Sequence, residues 1–377
     1  MITTGHPLEV LWYMIHQDGR YPWEPGAARK VDLAYFQALG RSLDVLGYDG
    51  ALLATGTNFG PDPWLTAASL VPLTERLRFL VAVHPSLISP VKFAKLAGTL
   101  DDYSRGRLLV NIISGAGSFA HAGVHLDHDE RYRHTDEFLT VYKRLAAGET
   151  VDFQGEFVHV EGATAPWLGA TRPHPPLWFG GSSDPAIEVS AKHIDTYLTW
   201  GEPLDQAAEK IGRVRDRAAE HGRSMRFGIR LSVIVRETEE QAWAVAQDQL
   251  DHMSDETIAG VREMMGTGKS VGWERQQALH GWRRPKYAQE LEIAPNLWSG
   301  LALVRPGPGI TLVGDPDTVA RRIWEYQDIG FDAFILSNFP LVEEAYRVAD
   351  DLLPILRKPR PQAVMAGGSA DRVAVAP

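Results

Sequence analysis

Eight short apolar runs, each followed by room for a helix, constrain this chain more than any other feature. They read VLWYMI from Val10, GALLA from Gly50, LRFLVAV from Leu77, RLLVNII from Arg107, PLWFG from Pro176, TYLTW from Thr196, RFGIRLSVIV from Arg226 and DAFILSN from Asp332. The stretches between them carry apolar residues at helical spacing. Val31, Leu33, Phe36, Leu39, Leu43 and Leu46 are one such stripe. Comparable stretches span 91–100, 137–147, 204–221, 239–253, 316–329 and 341–353. Strands that are apolar along nearly their whole length belong in a parallel sheet covered on both faces. Eight such units predict an α/β fold, a (β/α)8 TIM barrel with insertions, in one domain over residues 1–357. A doubly wound open sheet is the alternative, but no GxGxxG follows the first strand.

Two segments interrupt the repeat. Residues 150–175 contain a hairpin candidate, TVDFQGEFVHVEG, and residues 255–300 are long and rich in Gly, Arg and Trp. A loop of that length in a compact domain is functional or mobile, so the second is expected to act as a mobile lid over the barrel mouth, with a surface excursion as the alternative. The tail, residues 358–377, is small, polar and glycine-bearing and is expected to be disordered.

Composition excludes several functions. The net charge of −10 and the lack of a dominant basic patch argue against a nucleic-acid partner. There are no cysteines, which removes disulfides, a thiol nucleophile and thiolate-held metal. No uncharged apolar run is long enough to cross a bilayer, and the N-terminus lacks a basic, then apolar, leader, so a cytoplasmic protein without membrane partners is expected.

The chemistry-bearing motif is PPLWFGGSSD (Pro175 to Asp184), a strand running into two glycines, two serines and a helix start. Glycines admit a ligand close to the backbone, and hydroxyls with free N–H groups at a helix start suit a phosphate. Two glycines making an ordinary tight turn, with Ser183 as N-cap, is the competing reading. GTGKS (Gly266 to Ser270) is a decoy, because a phosphate loop needs glycine where Glu263 stands and a preceding strand. The run HAGVHLDHDERYRH (His121 to His134) has no HExxH and is read as preceding a helix. His128 and Tyr132, four apart at that helix start, would point together at an anionic or polar ligand. Alternatively Asp127 or Asp129 caps the helix and the histidines face water.

Barrel chemistry sits at the C-terminal ends of strands. In order, those ends offer His16, Asp18 and Glu24; Thr55, Thr57 and Asn58; His84; Asn111 and Ser114; Ser182 and Ser183; Trp200; Arg230 and Ser232; and Ser337, Asn338 and Phe339. Arg305 lies in LVRPGPG, whose Pro and Gly spacing predicts a rigid turn. The set holds neither a glycosidase carboxylate pair nor a metal set. It suits a large, flat, phosphorylated cofactor, with arginines to bind an anionic substrate or developing negative charge.

These motifs, with LGYDGALLATG (Leu46 to Gly56), YLTWGEP (Tyr197 to Pro203), RFGIRLSVIVRET (Arg226 to Thr238), APNLWSGLALVRPGPGITLVGD (Ala294 to Asp315) and EEAYRV (Glu343 to Val348), make the chain resemble the reduced-flavin-dependent monooxygenases of the bacterial luciferase-like superfamily, most of all the alkanesulfonate monooxygenase group. The resemblance implies FMN, supplied as FMNH2 by a separate NAD(P)H-dependent flavin reductase, with O2 as co-substrate. A peroxyflavin would then cleave a carbon–heteroatom bond of a small organic substrate. It further implies that Ser182 and Ser183 with Gly181, Tyr132, His128 and Thr55 hold the cofactor, that Asn111 and Ser114 line the flavin, and that Arg230, Arg305, Trp200 and Glu24 are the catalytic set. A homo-oligomer, dimer or tetramer, is also implied.

Four positions depart from the sulfonate pattern. Ser232 stands for a histidine, Phe339 for a tyrosine, Asn58-Phe59-Gly60 replaces a segment with a cysteine, and an aspartate near Gly117 is lost. The pocket is thereby less polar and poorer in proton-transfer groups. That leaves room for a flat aromatic substrate, as in riboflavin lyase, which removes the ribityl chain of riboflavin, with Trp23 and Phe59 as added aromatic walls. A deazaflavin-dependent oxidoreductase and a non-catalytic flavin-binding protein are further alternatives.

Overall fold

The computed structural model describes residues 8–55, 60–114, 119–165, 173–266, 271–305, 307 and 309–360. The first part of the chain forms β1 (Glu9–Met14), α1 (Leu33–Val45), β2 (Gly50–Leu53), α2 (Pro63–Leu70), β3 (Arg78–Val83), α3 (Pro90–Tyr103), β4 (Leu108–Ile112) and α4 (His128–Ala146). The middle forms β5 (Val151–Gln154), β6 (His159–Ala163), β7 (Leu177–Phe179), α5 (Asp184–His193), β8 (Thr196–Trp200), α6 (Leu204–Glu220), β9 (Arg226–Val235) and α7 (Glu239–Asp251). Then follow α8 (Asp255–Gly266), α9 (Val271–His280), β10 (Glu292–Ala294), β11 (Leu297–Trp298), β12 (Thr311–Gly314), α10 (Pro316–Ile329), β13 (Ala333–Ser337), α11 (Leu341–Asp351) and α12 (Leu353–Leu356).

Strands β1, β2, β3, β4, β7, β8, β9 and β13 pair in parallel, each with the next, and β13 returns to β1, so the ring closes as the expected TIM barrel. These are the eight apolar runs of the sequence. Alternate residues of each strand face opposite ways. Leu11, Tyr13, Leu52, Leu80, Leu109, Trp178, Ala333 and Ile335 fill the barrel interior. Their neighbours Val10, Trp12, Ala51, Leu53, Phe79, Val81 and Val110 pack outward under the helices. Burial on both faces is why the strands read as continuous apolar runs.

β9 is longer than its neighbours. Its first half pairs with β8 and β13, and its second half, Ser232–Val235, pairs with β12. β12 in turn carries β11 and β10 antiparallel, a small extension that the sequence reading missed. The hairpin expected in 150–175 is β5 and β6. The stretch 255–300 is not a structureless loop, because α8, α9, β10 and β11 occupy most of it. The histidine-rich run is also corrected: α4 begins at His128, nine residues before the periodic stretch. Its start is fixed by a capping box, in which the Glu130 N–H donates to Asp127 Oδ1 at 2.8 Å and the Asp127 N–H to Glu130 Oε2 at 2.8 Å. Thr57, Asn58, Phe59, Gly117, most of GTGKS and residues 361–377 lie outside the described residues. Among the described residues no helix is long and apolar enough to cross a membrane.

Candidate active site

A cavity of about 280 Å³ opens at the C-terminal ends of the barrel strands. Its walls bring together Thr55 after β2, Asn111 and Ser114 at the end of β4, His128 and Tyr132 on α4, Gly181, Ser182 and Ser183 after β7, Trp200 on β8 and Arg230 on β9. All are residues singled out in the sequence, drawn from six separate elements. Ile112, Ile113, Phe179 and Leu198 supply apolar wall between them.

The Gly180–Ser183 turn is built for close approach. A Cβ on Gly180 would lie 1.9 Å from the Leu198 carbonyl oxygen, and one on Gly181 2.4 Å from the Ala186 Cβ and 3.5 Å from the Tyr132 hydroxyl. The Tyr197 hydroxyl donates to the Gly181 carbonyl at 2.6 Å and pins the turn from below. Because the Gly180 clash is with backbone, which cannot rotate away, Gly180→Ala is expected to lower unfolding free energy by about 1–3 kcal/mol or more, measured by chemical denaturation.

Ser183 occupies the N-cap position of α5, yet its side chain does not cap the helix, and its buried hydroxyl has no partner of good hydrogen-bond geometry beyond its approach to the Tyr132 hydroxyl. Ser183 thus stands at the N-cap, where the tight-turn reading puts it, but without the side-chain capping bond. A buried hydroxyl without a well-formed hydrogen bond is costly, and here it sits at a helix N-terminus, where anions are favoured. Opposite it, Tyr132 meets the His128 ring edge-on at 5.0 Å, and burial raises the Tyr132 pKa, keeping it a neutral donor. His128 at the same time hydrogen-bonds Asp129 at 2.7 Å. Ser114 is fixed by Thr135 at 3.0 Å, and Thr135 donates onward to the Arg131 carbonyl at 2.7 Å, so the Ser114 hydroxyl is the donor in that pair.

The second anion-seeking feature lies toward the barrel axis. The Arg230 guanidinium carbon stacks 3.4 Å from the centre of the Tyr13 ring. The Arg305 guanidinium lies 5.1 Å from the same ring and 5.3 Å from that of Phe339. Arg305 does not itself line the cavity, but it backs the Tyr13 and Arg230 pair that does. Both arginines are buried, with no carboxylate partner among the described residues, and Arg230 Nε and Arg305 Nη1 and Nη2 lack hydrogen-bond partners. Burial, and then repulsion from Arg230, brings the Arg305 pKa down to about 10, which still leaves it charged at neutral pH. Burial likewise lowers that of Arg230. Unpaired buried cations are expensive, and an anion between them would relieve the cost.

Two neighbouring candidates prove structural. Asp18 is fully buried and accepts from the Tyr35 hydroxyl at 2.6 Å and the Leu341 N–H at 2.7 Å, tying β1 to α1 and α11. His84 hydrogen-bonds the Ile113 carbonyl at 2.9 Å and props the end of β4. Glu24 does not line the cavity. Its backbone closes a turn, with its N–H donating to Tyr21 and its carbonyl accepting from Ala27. The adjacent Trp23 meets Phe339 edge-on at 6.1 Å. His16 is half-buried against Phe36 and stands off the cavity wall. Pro306 and Pro308, invoked for the Arg305 turn, lie outside the described residues.

Sequence reasoning missed two parts of the site. Tyr13 was hidden because attention fell on the end of β1, whereas the period-2 alternation from Leu11 marks Tyr13 as inward-facing. The other part is a buried ion cluster in the cavity wall. Glu202, 1% exposed on its side chain, pairs with Lys210 at 2.8 Å and in bidentate fashion with Arg275 of α9 at 2.6 and 3.0 Å. Lys210 also donates to Thr199 at 3.0 Å. Gln276 of α9 donates to the Gly201 carbonyl at 2.9 Å, and Val271, Gly272 and Gln276 line the cavity. The stretch 255–300 thus reaches the site through α9, fastened by Arg275 and Gln276.

A closed parallel barrel with an anion-seeking mouth defines an α/β-barrel enzyme class, and one comparison narrows it. A model of the luciferase-like monooxygenases matches residues 12–333, and the chain belongs to that family. Solved structures of the same fold include a riboflavin lyase, RcaE, with modified FMN and riboflavin (22% identity over 93% of this chain and 92% of that one, TM-score 0.74). Another is the EDTA monooxygenase EmoA from Chelativorans sp. BNC1 (18%, 93% and 93%, 0.71). A third is the coenzyme F420-dependent tetrahydromethanopterin reductase from Methanopyrus kandleri (16%, 93% and 99%, 0.65).

Proposed function

We propose that this protein is a two-component monooxygenase that takes reduced FMN from a separate reductase and uses dioxygen to cleave a carbon–heteroatom bond in a small anionic substrate. The observation that carries the reading is the pair of buried guanidiniums, Arg230 in the cavity wall and Arg305 behind it, which have no carboxylate partner among the described residues. Family membership supports monooxygenation, and the pair supports an anionic substrate or an anionic charge developing on it.

The cavity residues fit FMN. The Ser183 hydroxyl, Ser182, the glycines and the α5 N-terminus would take the phosphate, and Tyr132 and His128 would close over it. Asn111, Ser114 and Thr55 offer polar contacts beside the apolar faces of Ile112, Ile113 and Leu198, against which a flat ring system can lie. Bound in reduced form, FMN supplies electrons for dioxygen activation. The protein's part is to hold the substrate anion on Arg230 and Arg305, to wall the site with Trp200, and to exclude water beneath α9. Water exclusion strengthens every charge interaction inside.

Ser183→Ala is expected to weaken FMN binding about 10–100-fold, the effect of losing a hydrogen bond to a charged group. Riboflavin, which lacks the phosphate, should bind both forms equally, and fold stability should hold because the hydroxyl makes no capping bond to α5. Fluorescence titration with each flavin checks this. The reaction itself is tested by single-turnover mixing of the protein, reduced FMN and oxygen with candidate substrates. Sulfite released from octanesulfonate supports the anionic-substrate reading. Lumichrome from riboflavin instead establishes the lyase reading, which the Trp23–Phe339 aromatic pair favours. Hydride transfer with a deazaflavin and no oxygen consumption overturns both.

A further inference from the structure

We infer that Tyr13 is a catalytic proton donor of this site, delivering its phenolic proton to an oxygen anion that forms on the substrate beside Arg230 and Arg305. The inference rests on the monooxygenase reading of the same cavity and names a residue that reading does not use. Among the described residues two phenols line the cavity, Tyr13 and Tyr132, and their surroundings differ in kind. Tyr132 stands by the Gly180–Ser183 turn, where burial makes it a weaker acid. Tyr13 stands on β1, with one guanidinium stacked on its ring at 3.4 Å and a second at 5.1 Å.

Apolar side chains share the barrel interior with Tyr13: Leu52 and Ala54 on and after β2, Leu198 on β8 and Ile335 on β13. Among the described residues the charged groups that act on it are the two arginines. Burial by itself would disfavour the phenolate and is the largest single influence, but the two cations together outweigh it and hold the Tyr13 pKa below the ordinary 10.0. Phe339, on the far side of Arg305, has no hydroxyl to share this role.

The step balances without any further reactant. The Tyr13 O–H bond breaks, a new O–H bond forms on the substrate oxygen, and the phenolate left behind is stabilised by Arg230 and Arg305. Water returns the proton once product leaves. The arginines thus serve twice, first gathering negative charge and then making the adjacent phenol acidic enough to discharge it.

The test combines a titration with a kinetic variant. NMR of the full chain carrying 13Cζ-labelled tyrosine, assigned with Tyr13→Phe, should show Tyr13 titrating below 10. With reduced FMN, oxygen and whichever of octanesulfonate or riboflavin is turned over, wild-type kcat should fall as pH rises through that titration, because the donor is the protonated form. Tyr13→Phe should lower kcat by roughly 100-fold or more and abolish that alkaline limb, while FMN affinity is unchanged. A Tyr13 that titrates at or above 10 overturns the inference, as does a Tyr13→Phe enzyme with unaltered kcat and pH profile. Wild-type protein that turns over neither substrate overturns the monooxygenase reading and this inference together, whereas an active wild type with an equally active variant overturns only the inference.

Discussion

Arg230→Met is expected to reduce kcat/KM by about 100- to 1000-fold, the range seen when one preorganised donor to developing negative charge is removed, while the protein keeps or gains thermal stability. The two halves of this result have one cause. Arg230 is buried, unpaired and close enough to Arg305 to lower its pKa, so in the free protein it is a source of repulsion. Methionine keeps a comparable apolar stem against the Tyr13 ring and removes the charge. Steady-state kinetics on the substrate identified by single turnover, set beside a thermal melt, checks both halves. A variant that loses activity only in proportion to lost folded protein would place Arg230 in the core and not in the chemistry. The same substitution should raise the Arg305 pKa by removing its cationic neighbour.

Glu202→Gln should be the most destabilising single change near the site, by about 3–5 kcal/mol, because it leaves a buried ammonium without its counter-ion. Lys210 is only 5% exposed on its side chain, and burial already lowers its pKa against the pull of Glu202. The Arg275 contact that fastens α9 is lost in the same step, so FMN retention should fall along with stability. Adding Lys210→Met removes the stranded charge, and the double variant should recover much of the loss. Urea denaturation of the wild type, both single variants and the double variant gives the coupling directly. If Glu202→Gln unfolds at the wild-type midpoint, the cluster does not hold α9.

The barrel was legible because its physics is local and repeated. A strand buried on both faces must be apolar at nearly every position, and Leu77 to Val83 or Arg226 to Val235 can hardly be read otherwise. The helix stripe from Leu33 to Val45 is equally plain, since one face must meet the sheet. What escaped notice lacked such a signature. β12 and β11 are four and two residues long and gain their strand character only by pairing, β12 with β9 and β11 with β12. The helices α8 and α9 bury only two side chains each, and both of those in α9 are polar, so their apolar stripe is faint and the segment passed for a loop.

The site was half legible for a related reason. Gly180, Gly181, Ser182 and Ser183 are consecutive, and one turn needs them together, so the motif shows in the string. Trp200 ends β8 and Arg230 pairs with it on β9, at the level where barrel chemistry is expected. Glu202 and Arg275 are 73 positions apart, and nothing local in either neighbourhood announces the other. Glu24 illustrates the opposite error, since a place carried over from resemblance did not bring its side chain to the cavity wall.

From its sequence alone this chain determined an eightfold barrel, the Gly180–Ser183 turn at its mouth and the place of Arg230 on the seventh strand, because backbone pairing, glycine clearance and strand alternation act over a few residues. Only the tertiary structure decided that the Ser183 hydroxyl makes no capping bond, that Arg230 and Arg305 share Tyr13 without a carboxylate partner among the described residues, and that Glu202 anchors α9. Those facts depend on which charges remain uncompensated once distant strands have closed the ring, and charge balance in a buried site belongs to the assembled fold.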